Sequence, residues 1–147
     1  VSLVRINRYL VSAIFAPWWG LADEDDSYDR YRALGLNDES ALRQLVRDEI
    51  ASEFWYFDAK DKDLVREALR YTMCRQPQGL ERIFHSDLPP FEPPSIERMF
   101  EIIWEELFPG HLLEIKDQEE FEIIDEIEEL NRVLGQAALN ADRYESE

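Results

Sequence analysis

The sequence predicts a mainly α protein, a single compact domain of about five to seven helices, on three observations. Apolar residues recur at three- and four-residue intervals over most of the chain. Strict two-residue alternation is nowhere long enough to argue a sheet, and prolines and glycines fall between the periodic segments. At 147 residues the chain has the length of one ordinary domain, which buries about 70% of its unfolded surface on folding. Its hydrophobic content of 45%, with 12% aromatic, supplies the apolar surface needed to offset chain entropy.

The elements follow in order. Leu3, Ile6, Leu10, Ala13 and Ile14 share one face of a first helix, which Pro17 and Gly20 stop. A short helical turn is expected over 28–35, closed by Gly35. A helix from about Ser40 to Phe57 carries Leu42, Leu45, Val46, Ile50, Phe54 and Phe57 on its apolar arc. DAKDKD breaks it, and Asp61 or Asp63 is expected to cap the next helix, which runs to about Arg75 before the turn Gln76-Pro77-Gln78-Gly79. A short helix spans Leu80 to His85.

LPPFEPP, 88–94, reads as an extended connector, because each proline fixes φ and biases its predecessor away from helix. Its Pro90-Phe91-Glu92-Pro93 has P-x-x-P spacing without an adjacent basic residue, so a rigid connector is favoured over an SH3-type ligand. Ser95 caps a helix to Phe108 that Pro109-Gly110 ends. His111 to Lys116 fits a loop or a short strand. Asp117 and Glu120 fit a capping pattern, starting a last helix that runs to about Ala141 with Ile123, Ile127, Leu130, Leu134 and Ala137 on its stripe.

Charge is the strongest compositional signal: 16 basic against 33 acidic residues, a formal net charge of −17. Residues 1–88 hold 12 basic and 16 acidic residues, whereas residues 89–147 hold 4 and 17. Binding to nucleic acid through its phosphates needs the opposite sign, so a nucleic-acid partner is not expected. No run approaches the roughly 20 apolar residues of a membrane span, so no membrane role is expected. Arg5 and Arg8 before YLVSAIFAPWW, with Gly20-Leu21-Ala22 after it, sketch a secretory leader that Ser12 and Pro17 interrupt. The single cysteine, Cys74, precludes an intrachain disulfide, and the cytoplasm is the expected compartment.

Motifs for chemistry are sparse. DEDDSYD, 23–29, places Asp23, Asp25, Ser27 and Asp29 as the first four ligand positions of an EF-hand loop, but Tyr28 occupies the glycine position and Leu34 the bidentate glutamate position. An acidic helix start capped by Asp26 or Ser27 is favoured. His85, His111 and Cys74 show no metal-ligand spacing, and no phosphate-binding glycine loop occurs. No cofactor or metal is therefore expected. Glu49 and Glu53 fall within an apolar arc four residues apart, which suits an acid/base pair. The favoured alternative is neutralisation by arginines of a neighbouring helix, Arg66 or Arg70.

Binding residues are easier to nominate. On a last helix, Glu122, Asp125, Glu126 and Glu129 cluster on the face opposite the apolar stripe, and Glu101 and Glu105 extend one negative surface from the preceding helix. Trp55, Trp18 and Trp19 are expected to be aromatic anchors, or else to cover the edge of the core. This combination leads to an acidic domain that binds a basic protein, with carboxylates steering the encounter. In general character the chain resembles bacterial immunity proteins and antitoxins, which implies neutralisation of a basic toxin or nuclease domain. Two other readings stand beside it: mimicry of DNA by the carboxylates, and an enzyme using Glu49 and Glu53.

Overall fold

A computed structural model of the chain describes residues 2–21, 26–87 and 89–146. Its α-helices are α1 (Ser27–Arg32), α2 (Glu39–Leu45), α3 (Ser52–Phe54), α4 (Ala59–Arg75), α5 (Gly79–Ser86), α6 (Ile96–Leu107) and α7 (Ile127–Ser146). A 3-10 helix covers Arg8–Trp18, and a π-helical segment, Val46–Ala51, joins α2 to α3. Two strands, β1 (Ser2–Ile6) and β2 (Glu119–Ile123), pair in parallel with Val4 opposite Phe121 and Ile6 opposite Ile123. The mainly α architecture expected from periodicity is therefore observed. No helix among the described residues is long and apolar enough to cross a membrane.

Helix limits follow local chemistry. The Ser95 side chain accepts a hydrogen bond from the Arg98 N–H at the start of α6, and Asp38 accepts from Ser40 N–H at the start of α2. Gly35 and Gly110 turn the chain after α1 and α6 at φ of 66° and 85°, a region that strains residues with a Cβ. The apolar arc expected over 40–57 is buried at each of its six positions, and the π segment carries it from α2 into α3 without a break.

The core is organised around aromatic rings. Phe15 meets Phe84 and Phe100 edge-on, with centroids 6.3 and 5.6 Å away, and Trp18 meets Phe91 at 5.1 Å. Phe91 also stacks on Tyr31 at 5.9 Å. The proline connector is thus pinned by its phenylalanine, with Pro89 and Pro90 buried beside it. Buried Pro90 and Phe91 remove P-x-x-P as a freely presented ligand.

Four expectations are corrected. The first helix is β1 followed by a 3-10 helix: Leu3 and Ile6 lie on the strand, and Pro17 sits inside the helix. Residues 111–116 form the loop that was one of their two expected states, and the strand lies instead at 119–123, where a helix start was expected. α7 begins at Ile127 and reaches Ser146. Caps differ too. Asp26 makes no capping bond to α1, α4 begins after Asp58, and Asp61 is buried within α4, where it accepts two hydrogen bonds from Arg132 at 2.9 and 3.3 Å. Asp23 and Asp25 of the DEDDSYD stretch lie outside the described residues, and among those described no His, Cys, Asp and Glu group has metal-holding geometry.

Asp87, which follows α5, carries the one buried side-chain oxygen without a hydrogen-bond partner among the described residues, Oδ2. Burial pushes this carboxyl up to about 6, against the pull of Ser12 and Trp19 in the other direction. A raised acid pKa means that the folded state keeps a proton the unfolded chain has released. Stability therefore falls as pH rises from about 4 to about 6, and the loss persists above that window. Asp87→Asn is expected to stabilise the protein at pH 8 by about 1 kcal/mol, after a discount for partial exposure, and by much less at pH 4. Thermal unfolding of both proteins at the two pH values checks this; an equal difference at each would contradict it.

Candidate binding surface

The acidic segment EEFEIIDEIEE, residues 119–129, contains seven carboxylates, and the fold sorts them into two groups. Four are spent on internal arginines. Glu119 receives Arg70 Nη1 at 2.8 Å, Asp125 receives Arg8 Nη2 at 2.6 Å, Glu129 receives Arg5 Nη1 at 2.9 Å, and Glu126 lies 3.6 Å from Arg5. Glu120, Glu122 and Glu128 are exposed and have no basic partner among the described residues.

Asn7 organises the junction. Its buried amide donates to Glu126 O at 2.8 Å and Glu129 Oε1 at 3.0 Å, while its Oδ1 accepts from Tyr9 N and Glu126 N. One side chain thereby caps the 3-10 helix and fixes the approach to α7. Burial pushes the Glu129 carboxyl up, but hydrogen bonds from Asn7 and Arg5 outweigh it and hold it below its ordinary value. The Arg8 guanidinium holds Asp125 low in the same way. Lowered acids contribute stability above their unfolded pKa and lose it as pH falls through the folded value.

The expectation of one outward helical face holding Glu122, Asp125, Glu126 and Glu129 is thus corrected. Glu122 lies on β2, Asp125 and Glu126 precede α7, and only Glu129 is helical. Glu101 and Glu105 belong to a different contact. Arg43 of α2 reaches Glu105 at 3.1 Å and Glu106 at 3.0 Å, Arg47 adds a second bond to Glu106, and Arg98 lies 3.6 Å from Glu101 while it also bonds Glu39. Glu105 and Glu106 clamp α6 to α2 and the π segment, whereas Glu101 pairs with Arg98 within α6 itself.

The tryptophans separate as well. Trp18 is fully buried, a correction to its nomination as an anchor, and its Nε1 donates to Glu49 at 3.0 Å. Tyr31 donates to the same Glu49 oxygen at 2.5 Å; burial first, then this bond, pushes the Tyr31 hydroxyl far up. The arginines expected to neutralise Glu49 are engaged elsewhere, Arg66 by Asp63 and Glu67, and Arg70 by Glu67 and Glu119. Glu53 is exposed and lines a separate groove. Glu49 therefore fastens the core, and the two carboxylates end in different surroundings.

Trp19 and Trp55 remain 42% and 58% exposed. Trp55 packs edge-on against Tyr56 and Tyr144, with centroids at 5.2 and 5.0 Å, and Asn140 ties α7 to this corner by donating to Tyr56 O at 2.8 Å. Between Trp19 and Tyr56 runs an apolar groove of about 270 Å³. The 3-10 helix forms one wall, the π segment and α3 the floor, and the Leu134, Ala137, Ala138 and Ala141 stripe of α7 the other wall. Sequence reasoning missed this groove because its small residues come from segments more than a hundred positions apart; the i, i+3, i+4, i+7 spacing of Leu134, Ala137, Ala138 and Ala141 in α7 was the available signal.

Compared with known proteins, the chain matches no protein family, no curated protein and no solved structure.

Proposed function

We propose that the chain is an acidic protein-binding domain that engages a basic protein partner and blocks its active surface, as immunity proteins and antitoxins do with toxin domains. One observation carries the reading: after the arginines near residues 119–129 are consumed, Glu120, Glu122 and Glu128 still face solvent without a basic partner among the described residues. Unpaired like charges on one segment repel one another and weaken the fold locally. A basic partner relieves that repulsion and is drawn in by it. The exposed Trp19 and Trp55 add the aromatic surface from which interface hot spots are built. A cytoplasmic site of action accords with a lone cysteine, Cys74, that is half-buried and has no disulfide partner.

The test is affinity capture with the wild-type chain and with a Glu120→Gln/Glu122→Gln/Glu128→Gln variant, followed by direct binding of the purified captured protein. A basic protein bound at least tenfold more weakly by the variant is expected. A partner that binds both alike would sink the electrostatic mechanism.

A further inference from the structure

The groove beside Trp19 carries more than its position. Its volume of about 270 Å³ falls below the roughly 300–1,000 Å³ of small-molecule sites and suits one large side chain with part of a second. Its walls are apolar, and among the described residues no lysine or arginine lines it and Glu53 is its one charged lining residue. Burial, then Glu145, Tyr144 and Glu53, push the Tyr56 hydroxyl up. An apolar slot with a carboxylate in its lining is complementary to an apolar side chain next to a cation. A second copy of this chain is a poor occupant, because an isologous contact would oppose two chains of net charge −17.

We propose that this groove is the anchor site for the partner: an amphipathic helical segment inserts an aromatic or long aliphatic side chain between the 3-10 helix and α7 and sets a lysine or arginine against Glu53. The inference rests on the basic-partner reading above and gives it a location. Helix-in-groove recognition supplies the affinity through the buried side chain, and the exposed ring of Trp19 favours a neighbouring cation.

The probe is a synthetic amphipathic leucine–lysine peptide titrated against the full chain, with tryptophan emission as the readout. An oligolysine of equal charge and a leucine–glutamate twin run in parallel. The leucine–lysine peptide is expected to bind, and Ala138→Leu, which fills the groove from an exposed position, is expected to weaken it at least tenfold. Glu53→Gln is expected to weaken it severalfold, and the acidic twin is expected not to bind. Should Ala138→Leu disturb folding, as read by thermal unfolding, Ala141→Leu replaces it. Binding that ignores both groove-filling variants, or no binding of the leucine–lysine peptide, overturns the groove. Oligolysine that binds as well as the leucine–lysine peptide and is lost in the Glu120/Glu122/Glu128 variant also overturns it, and leaves the basic-partner reading standing.

Discussion

Replacing Arg70 by methionine is expected to destabilise the protein by about 3–5 kcal/mol, the cost of leaving buried charge uncompensated, and to lower Tm by on the order of 10 °C. Arg70 projects from α4, only 8% exposed, into a set of acceptors that no other residue serves together. Its guanidinium bonds Glu67 at 2.5 Å, Glu119 at 2.8 Å and the Glu114 carbonyl at 2.9 Å, and lies 5.9 Å from the Phe121 ring. Burial opposes its charge, but Glu119 and Glu67 more than restore it and hold its pKa above the ordinary value. Methionine keeps the volume and removes every donor. Since β2 is held to the helices through this contact, hydrogen exchange at 119–123 should accelerate more than exchange in α6. A loss under 1 kcal/mol, or uniform exchange, would show that β2 does not depend on Arg70.

Trp18→Ala is expected to cost a similar 3–5 kcal/mol, through the cavity left by a large aromatic. The ring is completely buried against Phe15 and Phe91, and it supplies one of two hydrogen bonds to Glu49. Trp18→Phe separates the two contributions. It retains most of the packing and removes the indole N–H, so it should cost about 1–3 kcal/mol. Denaturant unfolding of both variants tests the assignment. If Trp18→Ala is mild and the variant instead loses partner binding, the residue belongs to the interface after all.

The parts of the fold that were legible in the sequence are those encoded locally. The arc from Leu42 to Phe57, the Ser95 cap and the stop at Pro109-Gly110 each depend on residues within a turn or two of one another. β1 and β2 were not legible, because their pairing joins residues more than a hundred positions apart. Leu3, Ile6 and Leu10 satisfy helical spacing as well as they satisfy a strand followed by a 3-10 helix, and EEFEI satisfies a helical start as well as an alternating strand. The acidic site was legible as composition and misplaced as geometry. Arg5 and Arg8 lie far from Asp125 and Glu129 in sequence, so nothing local indicated that these acids hold the fold together while Glu120, Glu122 and Glu128 have no basic partner among the described residues. Trp18 and Trp19 show the same limit at the scale of one residue: adjacent in sequence, one points into the core and one lines the groove.

Those free carboxylates hold the central claim, and the association rate tests it most directly. Measured by stopped flow with the captured basic partner, the rate constant is expected to fall tenfold or more between low salt and about 0.15 M, where the Debye length shortens to about 8 Å. Dissociation should change little, and the Glu120/Glu122/Glu128 variant should lose most of the salt dependence. An association rate that stays flat across that range, with the variant as fast as the wild type, would contradict the account.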